Sequence, residues 1–242
     1  FTPDLAARRG VLRFSAGYTK RANSVSPLHR GALGAERKVS VCEEACTSRG
    51  LDRVFKLTPA SVPASLDRVL LKRGYRRVAG ASVQTVSLGG RAWPSESAVE
   101  TSEAFSERWL SAYFELNEVE LRMRETASKM LLNTVPRRVF ASVSEGEKIV
   151  ACGMGVAEGA HCGIFDIVTH PDHRRRGHAR AVVLGPLRWG GAGRGGNGIS
   201  PGGTEQRACQ GALSGPGFLR GIPLLVHGQG ASIVPQRPSW SL

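Results

Sequence analysis

The segment that most constrains the fold is an apolar run, Ile164 to Thr169, followed by His170-Pro171-Asp172-His173 and then Arg174-Arg175-Arg176-Gly177-His178-Ala179. The apolar run reads as a strand and Ala179 to Trp189 reads as a helix, so the arginines and Gly177 form the turn between them. N–H groups at a helix start have no intrahelical acceptor and sit at the positive end of the helix dipole, which makes an anion cradle. Gly177 lets the backbone come close to an anion, and Ala179 keeps the next approach clear of a large side chain. Four arginines in the seven positions from Arg174 to Arg180 add charge suited to a ligand with several phosphates.

Upstream of this turn the chain alternates helix and strand signals. Three strands are expected over Val139 to Val143, Lys148 to Glu158 and Ile164 to Thr169. The turns between them fall at Ser144-Glu145-Gly146-Glu147 and Glu158-Gly159-Ala160-His161. A single long helical region is expected from Ser102 to Asn133, with Trp109, Tyr113 and Leu116 on one stripe that reads as core. Before it, Leu12 to Ser15 reads as a strand and Glu36 to Arg49 as a helix stopped by Gly50. Val54 to Leu57 reads as another strand. Pro63 opens a helix closed by Gly74, and Arg76 to Leu88 reads as a further strand. The resulting plan is α+β. Its expected domains are 1–90, a Gly/Ser/Pro-rich linker over 91–100, a second domain over 101–189 and a Gly-rich tail over 190–242.

Composition narrows the function classes. The 242 residues suffice for one large domain or two small ones, and no apolar run approaches the roughly 20 residues that span a bilayer. The formal charge of +13 raises the possibility of nucleic acid, but the basic residues are dispersed without interleaved aromatics, which argues against that partner. The five cysteines have no C-x-x-C spacing and read as reduced thiols, so a cytoplasmic location is expected. Cys42 and Cys46, four apart on a helix, read as packing residues. Cys162, His170 and His173 have the residue types of a zinc site, but their spacing matches no common ligand pattern, so no metal is expected. Gly153-x-Gly155 has no third glycine where a dinucleotide turn needs one.

Ile167-Val168-Thr169-His170-Pro171 with Arg174-x-x-Gly177-x-Ala179 resembles the GNAT acetyltransferase superfamily. That family's motif is Arg/Gln-x-x-Gly-x-Gly/Ala after a strand and a proline. The resemblance implies a mixed central sheet flanked by helices, with acetyl-CoA as co-substrate and no metal. It also implies backbone contacts from Ile167, Val168 and Thr169 to the pantetheine arm. Arg174, Arg175, Arg176, Gly177, His178 and Ala179 would contact the phosphates. The implied reaction is acetyl transfer to a primary amine of unknown identity, with the general base and acid unassigned; Asp166 is a nearby carboxylate. Two other classes are a GNAT-like module that binds acyl-CoA without turnover and a basic nucleic-acid-binding protein.

Two further resemblances concern the ends. Gly17 to Val25 resembles a segment of bacterial GNAT proteins with an N-terminal GNAT-like half, and Val54 to Tyr75 is similar to the family's own strand-helix-Gly-aromatic ending. They imply a tandem of two related halves, the first lacking the Arg-x-x-Gly-x-Ala turn. After Trp189, by contrast, the family's final strand and its Asn-x-x-Ala-x-x-Leu-Tyr helix are missing, and no tyrosine follows Tyr113. Codons can be chosen for Gly191 to Val226 so that a one-base shift restores that ending, including the Leu-Tyr pair and a following Gly-Phe. The expectation is a frameshift near Gly190 and Gly191, with the C-terminal strand and helix lost and the tail disordered.

Overall fold

The computed structural model describes residues 10–87, 93–95, 98–159, 161–192, 207–211 and 219–229. Part of the expected linker and most of the Gly-rich tail lie outside them. The chain divides into two compact units, one of residues 1–82 with 222–241 and one of residues 83–221.

In the first unit, β1 (Val11–Leu12) pairs antiparallel with β2 (Val25–Ser26), and β2 meets β3 (Arg53–Leu57) in parallel at Val25 and Phe55. Two helices, α1 (Ala35–Thr47) and α2 (Leu66–Lys72), supply Val39, Cys42, Leu66 and Leu70 to a core with Phe55 and Tyr75. The Phe55 and Tyr75 rings meet edge to face at 5.4 Å. Gly74 (φ +79) ends α2 as expected. Its N–H donates to Leu71 O while Tyr75 N–H reaches back to Leu70 O, which closes the last turn and seats Tyr75 on Leu70. Pro63 does not open this helix; it lies in the turn ahead, where its carbonyl accepts from Leu66 N–H at 3.0 Å. β4 (Arg76–Ser87) follows.

The second unit begins with β5 (Val99–Ser102), which the sequence reading left inside a linker and a helix. The single long helix expected over 102–133 is two, α3 (Glu107–Leu116) and α4 (Leu121–Leu132). The break falls at Asn117 and Glu118, whose φ of +52 a continuous helix does not admit. Apolar periodicity persists through such a break, so spacing alone does not reveal it. Ser106 Oγ accepts from Trp109 N–H and caps α3.

β6 (Arg137–Glu145), β7 (Lys148–Glu158) and β8 (His161–Thr169) form the expected antiparallel meander, and β5 adds to β6. Gly146 (φ +62) makes the tight β6–β7 turn. α5 (His178–Ala192) lies on one face. Under it, Ala151, Gly153 and Gly155 alternate along β7 opposite Val143, Ala141 and Val139. This lane of small residues lets the helix approach closely. A Cβ at Gly155 would stand 2.6 Å from Pro186 Cβ, and one at Gly153 2.2 Å from Ile167 Cδ1. Gly153-x-Gly155 is therefore a packing device. Phe140, one residue off that lane, points to the other face and meets Trp109 of α3 at 4.9 Å, and Trp109 Nε1–H donates to Ala141 O.

Among the described residues of the tail, two strands occur. β9 (Arg207–Gly211) runs parallel to β8 at His161 to Gly163 and antiparallel to Val83–Ser87 of β4. β10 (Leu219–Gln229) pairs antiparallel with β3 in the first unit. The sequence reading expected no strand there, because the tail offers few periodic apolar positions. Backbone hydrogen bonding to an available strand edge does not need that periodicity.

Candidate functional site, a glycine turn at the end of a bulged strand

β8 carries a bulge. Cys152 pairs with Val168 and Met154 with Phe165, so Asp166 and Ile167 together oppose Gly153. Asp166 takes φ +55 to absorb the extra residue. Cys162 and Ile164 face α5; the bulge returns Ile167 to that same face, where it packs against both apolar clusters beneath the helix. Gly153 is what leaves room for it.

Among the described residues, the outer edge of β8 is unpaired over the same stretch. β9 pairs with His161, Cys162 and Gly163 only, and among the described residues no strand pairs beyond them on that side. His170 N–H donates to Val150 O at 2.8 Å, so this end of the strand addresses β7 through His170 and, by alternation, Val168. Ile167 and Thr169 thus aim their backbone groups at the open edge. Thr169 Oγ1 is buried without a hydrogen-bond partner, while its carbonyl accepts from Arg174 Nε at 3.4 Å.

The chain then turns in a short 3₁₀ segment, Pro171–His173, capped by His170, whose Nδ1 accepts from Asp172 N–H. Arg175 (φ +62) and Gly177 (φ +85) reverse it into α5, whose first helical bond runs from Ala181 N–H to Gly177 O. A Cβ at Gly177 would meet nothing within 4 Å, so glycine is needed there for its φ and for open backbone. Arg174, Arg175, Arg176, Gly177 and Ala179 are exposed, and His178 is half-buried. The structure thus gathers every residue of the expected motif at one end of β8 and the start of α5.

It does not gather Cys162, His170 and His173. Cys162 is buried eight residues back along the strand, with its thiol 3.6 Å from Pro186 O. His173 turns instead to a partner the sequence gave no sign of, Glu145 in the β6–β7 turn. The Glu145 carboxylate lies 3.1 Å from His173 Nδ1, 3.0 Å from His178 Nε2 and 3.1 Å from Arg176. Hydrogen bonds from His173 and His178 are the main reason its pKa is held down to about 2. Whatever these contacts contribute to stability is therefore present above the ordinary carboxylate range and fades as pH falls from there toward 2.

Cys152, on β7 beside the bulge, is fully buried. Burial first, and the Asp166 carboxylate second, push its thiol up to about 12. It should stay unmodified by iodoacetamide at pH 8 in the folded protein and react on denaturation, as read by mass spectrometry. Rapid labelling of the native protein would contradict this packing.

Comparison with known proteins agrees with this geometry. Residues 100–191 match the pattern of the Acetyltransferase (GNAT) family. No curated protein matches the chain. Among solved structures, a GCN5-related N-acetyltransferase from Kribbella flavida is similar at a TM-score of 0.63 and 12% identity, over 94% of this chain and 91% of that one. One from Sphaerobacter thermophilus gives 0.59 and 16%, over 85% and 72%. A tandem GNAT protein from the clavulanic acid biosynthesis pathway gives 0.55 and 12%, over 80% and 69%. Among the described residues no helix is long and apolar enough to cross a membrane. The mixed α+β architecture is the fold of these GCN5-related N-acetyltransferases, and residues 100–191 are the part of the chain that is similar to the Acetyltransferase (GNAT) family.

Proposed function

We propose that the second unit binds acetyl-CoA and transfers its acetyl group to a primary amine. The observation that carries this reading is the junction of an open, bulged strand edge with a glycine turn at a helix N-terminus. In this reading the pyrophosphate sits on the N–H groups of the first turn of α5, with Arg174, Arg175 and Arg176 supplying charge from Arg174 to Ala179. Val168 holds the strand in register with β7, and Ile167 and Thr169 bond the pantetheine amides at the open edge. The amine nitrogen attacks the thioester carbonyl carbon and the C–S bond breaks. A base takes the amine proton, and the coenzyme thiolate leaves and is protonated.

The sequence offers no tyrosine after Tyr113 to protonate that thiolate. This favours a second reading of the same site, an acyl-CoA-binding unit with slow or no turnover. We ascribe the lack to a one-base frameshift near Gly190 and Gly191, which resequencing that stretch together with the mass of C-terminal peptides would test; an uninterrupted frame sinks it. The five cysteines, without C-x-x-C spacing and read as reduced thiols, support a cytoplasmic location. Residues 1–90 are read as a GNAT-like half without its own coenzyme turn.

Acetyl-CoA at about 100 times its Kd should stabilise the protein by about 2.7 kcal/mol. For a domain of this size that raises the melting temperature by roughly 5–10 °C. A panel of amines then separates transfer from binding alone. No shift with the coenzyme, alongside nucleic-acid binding that weakens steeply with salt, would replace this reading with the basic nucleic-acid-binding one.

A further inference from the structure

Glu145, His173 and His178 reach one point from three places: the β6–β7 turn, the 3₁₀ segment and the first residue of α5. One ligating atom from each lies within 4.8 Å of the others. His173 Nδ1 stands 3.1 Å from one carboxylate oxygen and His178 Nε2 3.0 Å from the other. A tetrahedral ion holding nitrogen and oxygen donors at about 2.0–2.2 Å spaces neighbouring donors roughly 3.3 Å apart. Each carboxylate oxygen thus stands at about that spacing from one imidazole nitrogen, so one edge of such a polyhedron is nearly formed whichever oxygen takes the ion.

We propose that Glu145, His173 and His178 form a site for a divalent transition-metal ion of the zinc type, with the fourth position open to water. Two imidazoles among three ligands favour zinc, cobalt or nickel over magnesium or calcium, which take oxygen donors. The side chains are partly enclosed, at 38% exposure for Glu145, 24% for His173 and 13% for His178, which leaves a way in from solvent. Arg176 is the competitor. Its guanidinium lies 3.1 and 3.3 Å from the two Glu145 oxygens and must swing out, which its own exposure allows. The ion would tie the β6–β7 turn to the start of α5.

The test is titration of the untagged full chain with Co²⁺, without coenzyme, followed in the visible range, where tetrahedral cobalt absorbs strongly and octahedral cobalt weakly. Intense bands are expected at one equivalent. Their loss in both His173→Gln and His178→Gln should come with weakening beyond the roughly 10–100-fold that removal of an outer-shell partner costs. Arg176→Ala should bind more tightly than the parent, since it removes both the competitor and a positive charge. Wild-type melting temperatures show that these variants are folded, and Arg176→Ala still tests the site if a histidine variant is not. Weak octahedral spectra overturn the proposal. So do bands that survive both histidine changes, near-ultraviolet charge transfer from cysteine, or weaker binding by Arg176→Ala.

Discussion

Gly177→Val should lower the affinity for acetyl-CoA by about 100-fold or more while the protein still folds. Gly177 holds φ +85, and a Cβ there would meet nothing within 4 Å, so no clash accompanies the change. The backbone strain of a β-branched residue at such a φ is of order 1–3 kcal/mol. In the proposed coenzyme complex, a shift of the turn by 1 Å or less would take several phosphate contacts with it, because the N–H groups would act together. The strain alone can be separated from the lost approach. Gly159, at the opposite end of β8, has φ +56 and equally open surroundings. Gly159→Val should therefore lose comparable stability, a few degrees of melting temperature, with an unchanged dissociation constant by calorimetry. Equal affinities for the two variants would mean that the turn does not bind the coenzyme.

The second large effect is on stability. Gly155→Val should lower the melting temperature by more than about 10 °C or prevent soluble expression, through overpacking beyond the usual 1–3 kcal/mol. A Cβ at Gly155 would lie 2.6 Å from Pro186 Cβ and 2.9 Å from Val139 Cγ1. The proline ring cannot rotate away, so α5 would have to lift from β7. Gly153→Ala meets softer neighbours, the Cδ1 of Ile167 at 2.2 Å and the Cγ1 of Val182 at 2.7 Å. Ile167 can change rotamer at its outer carbon, so the loss of stability should be smaller than in Gly155→Ala. The cost should appear instead in coenzyme affinity, because Ile167 belongs to the bulge that shapes the open edge. Gly155→Ala melting like the parent would refute the close approach of helix and strand.

Glycines 153 and 155 also show where sequence reading stops. Their spacing suggested a weak nucleotide turn and was set aside, but nothing in the sequence indicated Pro186, 31 residues away, as the reason for Gly155. Similarly, the apolar stripe through Trp109 and Tyr113 identified a core-facing helix. The break at Glu118 was hidden, since a single left-handed residue leaves the surrounding apolar pattern intact. The zinc set of Cys162, His170 and His173, conceivable by residue type, was set aside on spacing. Alternation and distance along β8 then placed the thiol in the core and the imidazoles at the far end.

What the sequence determined by itself was the local unit: strand, proline, arginine-glycine turn and helix. Each of its parts rests on nearest-neighbour physics, such as the φ that only glycine adopts readily and the unpaired N–H groups of a helix start. That is why the strand, turn and helix start around Ile167 to Ala179 were legible, whereas the role of Ile167 to Thr169 and Arg174 to Ala179 as coenzyme contacts came from the family resemblance. Tertiary structure decided everything that depends on pairing across the chain. It set the bulge at Asp166 and Ile167, which exists only against Gly153, and the open edge beyond Gly163, which depends on how far β9 pairs. It also brought Glu145 to His173 and His178, across 33 residues in the latter case. Such meetings are fixed by strand register and by how closely a helix can lie on a sheet, and neither quantity is carried by a single stretch of sequence.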